Sequence, residues 1–201
     1  MVVSVRDELH PPRPTAKPRV RTAAARRILD TASTLFYERG IRAVGVDTIA
    51  DAAHVTKATL YKQFGSKDQL VTEYLRARDE RWQEALEELS ARHADPQARL
   101  LAVFDAYGAW LVDDAFRGCA FINAAAELPD VDHPARTMIG EHKMALLEQL
   151  ARLAADAGYD RPKPLAEELL LLLDGAAVTA SVQRSTRPLE VARNIAIGLL
   201  E

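Results

Sequence analysis

Apolar residues recur at helical spacing from the first stretch that carries any pattern. Ile28, Leu29, Ala32, Leu35 and Phe36 share one face, at i, i+4, i+7 and i+8. Gly40 stands where a helix-stopping glycine would, so the pattern predicts a helix over about Ala23–Arg39. A short second helix is predicted over about Asp47–Ala53, with Ile49, Ala50 and Ala53 inward. A third is predicted over about Lys57–Phe64, with Leu60 and Phe64 inward and Thr56 as its N-cap. Gly65 ends it. Ser66-Lys67-Asp68-Gln69 then reads as a capping box opening a long helix from Lys67 towards Ser90.

The remainder divides at its breakers: Asp95-Pro96, Arg117-Gly118, Leu128-Pro129-Asp130, Gly158 through Pro164, and Thr186-Arg187-Pro188. Between them the pattern predicts helices over about Pro96–Asp113, Cys119–Glu127, His133–Ala157, Pro164–Arg184 and Pro188–Leu200. No strand-like alternation stands out, so the expected fold class is all-α. Three short helices need the long fourth to complete their core. The long helix therefore bridges a unit at 23–67 to a helical body at 68–201. Residues 1–22 hold Pro11, Pro12, Pro14 and Pro18 among Arg13, Lys17, Arg19 and Arg21. Prolines at that density oppose helix and sheet alike, and this stretch reads as a flexible basic arm.

Residues 47–64 meet the demands of a helix-turn-helix: a bracing helix, a tight turn, and a second helix with one apolar and one small or polar face. Lys57, Ala58, Thr59, Tyr61 and Lys62 lie on the surface that Leu60 and Phe64 leave free. Small Ala58 permits close approach to base edges, and its methyl suits a thymine methyl. Thr59 suits a base or a phosphate. Tyr61 and Lys62 suit phosphates, which set register. His54 sits in the turn, where φ > 0 is common and histidine tolerates it better than most residues.

Charge supports this division. Residues 1–67 carry 12 Lys+Arg against 6 Asp+Glu, and the rest of the chain 14 against 23, within an overall −3. A basic end on an acidic body points the first part at a polyanion. A single cysteine, Cys119, allows no disulfide within the chain and fits a reducing cytosol. Met1–Pro18 lacks the apolar stretch of a signal peptide. The longest leucine run, Leu169–Leu173, stops at Asp174, far short of the ~18 apolar residues of a membrane span. A cytoplasmic, bacterial, nucleoid-associated protein is expected, with no membrane partner and no cofactor.

The run from Val46 to Lys67, with Ala32, Leu35, Phe36 and Gly40 before it, resembles the DNA-binding signature of the TetR family of bacterial repressors. The specific likeness covers residues 23–70, and the layout of the whole chain fits as well. The resemblance implies operator contacts at Thr48, Thr56, Lys57, Ala58, Thr59, Tyr61 and Lys62, and a phosphate contact at Lys67 assisted by a helix N-terminus. It also implies a homodimer on double-stranded operator DNA, repression, and a C-terminal half that binds a small-molecule effector. His54 stands where glycine is common, which implies a slightly strained turn. Val44 and Gly45 stand where threonine or serine is common, which implies a weaker cap or one shifted to Asp47.

The C-terminal half speaks less specifically. Trp82, Phe104, Tyr107 and Phe121, together with Tyr74 and Trp110, are aromatic candidates for a pocket, and Asn123, His142 and Asp174 are polar ones, with Glu127. An aromatic face of this kind is more often plain core than a ligand box. The expected effector is largely apolar. Cys119 reads as a buried structural thiol or, at a helix start, as a redox sensor. Leu169, Leu172, Leu173, Ala176, Ala180, Ile195 and Leu199 form apolar surface in excess of one chain's core, and are the expected dimer contacts. Two rival readings stay open: a DNA-binding regulator answering to a protein partner, and a small helical enzyme. For the latter no Ser/His/Asp order, metal spacing or phosphate-cradling loop is present.

Overall fold

The computed structural model describes residues 21–110 and 116–201. The proline-rich arm up to residue 20, the side chain of the pocket candidate Trp110 and the expected end of the fifth helix at Asp113 lie outside what is described. Nine α-helices and no strand occur among the described residues: α1 (Ala23–Arg39), α2 (Val46–Ala52), α3 (Lys57–Phe64), α4 (Lys67–Ala91), α5 (Pro96–Trp110), α6 (Ala120–Glu127), α7 (Pro134–Asp156), α8 (Pro162–Gln183) and α9 (Arg187–Leu200).

Local chemistry sets most of these ends. Thr22 Oγ1 accepts from Ala25 N at 3.1 Å and caps α1. Thr56 Oγ1 accepts from Thr59 N, and Ser66 Oγ from Gln69 N, each at 3.1 Å. The capping box is thus half made, because the Ser66 N–H donates to the Phe64 carbonyl at 2.9 Å. Gly45 caps α2 with no side-chain bond, and α2 starts one residue before Asp47. That cap is weak, as the missing hydroxyl implies, but it has not moved to Asp47. Pro134 opens α7 behind His133, whose Nδ1 accepts from Ala135 N. α8 starts at Pro162 rather than Pro164, since first-turn prolines forfeit no helical hydrogen bond.

α4 is the spine. Its first half supplies Leu70, Val71, Tyr74 and Leu75 to the core shared with α1–α3, and its second half supplies Trp82 and Leu86 to the body. One contiguous buried cluster runs from Ile28 to Leu200. In the body, α4, α5 and α9 pack around α7 and α8. Gln97 Nε2 and the Tyr159 hydroxyl both donate to the Leu200 carbonyl, at 3.0 and 2.5 Å, and tie the end of α9 to α5 and the α7–α8 connection. No helix among the described residues is long and apolar enough to cross a membrane.

Candidate nucleic-acid interface

The turn between α2 and α3 is closed by backbone bonds from His54 N to Asp51 O (3.1 Å) and from Val55 N to Ala50 O (3.0 Å). His54 takes φ 53°, the left-handed conformation expected of this turn, with its side chain exposed. Leu60 is fully buried beneath α3 and Phe64 is half-buried against the same core. Thr48, Thr56, Lys57, Ala58, Tyr61 and Lys62 are exposed, and Thr59 is half-buried. An outward face of small, hydroxyl and cationic side chains therefore stands on a braced helix.

Some of these groups already have partners. Lys57 Nζ lies 2.9 Å from an Asp47 carboxylate oxygen in an exposed ion pair, and that hydrogen bond raises its pKa. The Thr56 and Thr59 hydroxyls are 2.9 Å apart. Lys67 turns inward. Its Nζ donates to the Ile41 carbonyl at 2.7 Å and lies 5.9 Å from the Phe36 ring centroid, and burial lowers its pKa. In this conformation the Lys67 ammonium, expected to meet a phosphate, braces the α1–α2 loop. The reason is the unsatisfied carbonyl beyond the end of α1. Beside α3, a cleft of about 420 Å³ is lined by Arg21, Thr22, Gln63, Phe64, Gln69 and Glu73. Arg21 Nη2 meets Glu73 at 2.5 Å across it, fixing the base of the basic arm to α4.

In the body the structure gathers several expected pocket residues. Trp82 and Tyr107 meet edge to face with centroids 4.8 Å apart. The Phe121 ring and the His142 imidazole stack in parallel at 3.5 Å. Trp82, Phe104, Tyr107, Phe121 and His142 are all buried. Burial drives the Tyr107 phenol well above its ordinary pKa, with buried Cys119 beside it adding to the effect. Two of the expected polar groups already have partners. Asn123 Nδ2 donates to the Arg117 carbonyl at 2.7 Å, and Asp174 is ion-paired with Lys143, so both polar groups serve the protein itself.

Sequence reasoning missed Asp79. Its carboxylate, 6% exposed, lies 2.6 Å from His142 Nδ1. The signal was present, because Leu75, Asp79, Trp82 and Leu86 follow one helical stripe and an acid on an apolar stripe needs a partner. Desolvation lowers the His142 pKa, and the Asp79 carboxylate opposes that shift.

The dimer expectation also needs correction. Leu169, Leu173, Ala176 and Ala180 are buried inside the protomer and Leu172 is half-buried. Ile195 and Leu199 are exposed as expected, in company with Leu171, Val178, Val182 and Val191. α8 is apolar around most of its circumference, and its most buried side faces α7 and α9.

A profile of the tetR family of bacterial regulatory proteins matches residues 28–74. A second, the tetracyclin repressor-like C-terminal domain, matches residues 96–196, half of the chain. The chain belongs to the TetR family. Its structure superposes on that of a TetR-family transcriptional regulator from Streptomyces coelicolor with a TM-score of 0.84 and 32% identity, covering 89% of this chain and 95% of that one. Reduced NemR of E. coli shares the fold, at a TM-score of 0.74 and 23% identity over 86% of this chain and 95% of that one. The transcriptional repressor KstR2 of Rhodococcus jostii is 53% identical over 49 residues, 24% of each chain. The regulator YjdC of Escherichia coli is 27% identical over 104 residues, 52% of this chain and 54% of that one. The chain spans between a quarter and about half of these curated relatives. TetR-family proteins are helix-turn-helix regulators that bind DNA, and membership makes this chain a transcription regulator rather than an enzyme.

Proposed function

We propose that the chain is a ligand-responsive repressor that binds a pseudo-palindromic operator as a homodimer. The observation that carries this reading is the exposed α3 face, where Ala58, Tyr61 and Lys62 project from a helix that Leu60 anchors. α3 enters the major groove, Ala58 and Thr59 meet base edges, and Thr48, Thr56, Lys57, Tyr61 and Lys62 set the register on phosphates. On binding, Lys67 adds the positive end of α4 to a phosphate. Two copies joined through the exposed apolar side of α8 and α9 set their recognition helices roughly 34–36 Å apart, one turn of duplex.

The aromatic and imidazole groups of Trp82, Phe104, Tyr107, Phe121 and His142 form the wall against which a small, largely apolar effector is read. The effector releases the operator by favouring one orientation of the DNA-binding unit over another, through its differential affinity for the two. The site of action is the nucleoid of a bacterial cell. Selection of bound duplexes from random DNA tests the reading. A recurrent inverted repeat whose half-sites lie one helical turn apart is the expected product, and a pool without enrichment refutes it.

A further inference from the structure

α4 alone leaves one freedom open. A unit joined to a body by a single helix can rotate about that helix, so its yaw needs a second attachment. Residues 117–127 supply one, gripping the far end of α1. The Arg117 guanidinium donates to the carbonyls of Tyr37 (3.2 Å) and Glu38 (2.7 Å), at the C-terminal end of α1 where carbonyls lack helical partners. The Tyr37 hydroxyl accepts from Arg117 N at 2.9 Å and donates to the Gly118 carbonyl at 3.1 Å. At the other end of α6, a Glu127 carboxylate oxygen accepts from the Arg42 N–H at 2.9 Å. A Cβ at Gly40 would lie 3.0 Å from that same oxygen, so this approach fits glycine there.

The same segment is seated in the body at separate points. Gly118, at φ +80°, lies so close to α8 that a Cβ would stand 3.1 Å from Ser181 Cβ. Phe121 stacks on His142, which holds Asp79 of α4. Asn123 ties the Arg117 carbonyl to α6. Any displacement of Phe121 or His142 therefore reaches α1 without passing along α4.

We infer that Arg117 and Glu127 are positioning residues: with α6 they form a clasp that fixes the orientation of the DNA-binding unit and couples it to the body alongside α4. This rests on the DNA-binding reading above. Coupling is reciprocal, so operator binding must be felt in the clasp.

The test is hydrogen–deuterium exchange on the full chain, with and without a duplex obtained by the selection, in wild type and in an Arg117→Ala/Glu127→Gln double variant. In wild type the duplex is expected to change exchange across 117–128 several-fold. In the double variant this response is lost and duplex affinity shifts several-fold, because the coupling is reciprocal, while the circular-dichroism spectrum of a folded helical chain is kept. Glu127→Gln alone gives a partial loss. An unaltered 117–128 segment on duplex binding, or the same response in the double variant, overturns the clasp. A chain that enriches no duplex overturns the DNA-binding reading instead. The duplex-free comparison then decides the clasp by itself: exchange at 37–42 must rise about tenfold in the double variant, and an unchanged rate overturns it.

Discussion

Lys57 and Lys62 lie on the same helix, but among the described residues only Lys57 is held by a carboxylate, at 2.9 Å from Asp47. A phosphate must displace that partner, so Lys57 enters a complex with part of its charge already answered. Lys62→Ala is expected to weaken binding to every duplex alike and to lower the salt dependence by about one unit, read as the slope of log affinity against log salt. Asp47→Asn is expected to act the other way and raise affinity at low salt. Ala58→Ser changes base preference instead, which repeat selection from random DNA measures. In the body, His142→Ala removes one partner of a buried hydrogen-bonded pair and the ring stacked on Phe121. The expected cost is roughly 3 kcal/mol of unfolding free energy in urea titrations. The folded His142 pKa lies below its ordinary 6.5, so the unfolded state binds more protons. The contribution of His142 is therefore intact above about pH 6.5 and declines as pH falls towards the folded value. The melting temperature of the wild type should drop more steeply between pH 7 and pH 5 than that of His142→Gln.

The helices of the DNA-binding unit were legible because each is short, one-faced and punctuated. Gly40, Gly65, Thr56 and Ser66 mark ends that the structure reproduces to the residue. The inward pair Leu60 and Phe64 followed from the same spacing, and the left-handed His54 from the turn that spacing leaves between α2 and α3. α8 was legible as a helix but not as a surface. Leu169–Leu173 puts leucine on every side, so periodicity carries no direction, and the buried row could be told from the exposed one only by where α7 and α9 lie. Polar partnerships between distant segments were the least visible. Asp79 with His142, Arg117 with Tyr37, and Glu127 with Arg42 are separated by 63, 80 and 85 positions, and no local pattern pairs them. Gly40 is the element-scale test of one such contact. With φ +92° and Glu127 so near, Gly40→Ala is expected to cost about 2 kcal/mol by thermal or chemical unfolding, more than an exposed helix substitution does.

At the scale of the molecule, the decisive surface is the apolar side of α8 and α9. Leu171 is 74% exposed and Val182 80%, values that a second copy would reduce. Substituting Leu171→Asp and Val182→Asp together leaves the protomer core untouched and is expected to convert a dimer at micromolar concentration to monomer in analytical ultracentrifugation. Operator affinity should fall with it, because two half-sites are then no longer held by one particle. Wild-type protein that sediments as monomer would refute the proposed homodimer.

The length of α4 has a mechanical meaning. Its 25 residues make a rod of about 37 Å. Pivoted at its body end, a tilt of about 5° sweeps the other end through about 3 Å on a lever of that length. Two protomers tilting in opposite senses would spread their recognition helices by about 6 Å against a groove repeat of roughly 34 Å. A change in side-chain packing of the size of one methyl group, made near Trp82, would thus be amplified in such a dimer into a misfit of nearly two base-pair steps, at about 3.4 Å each.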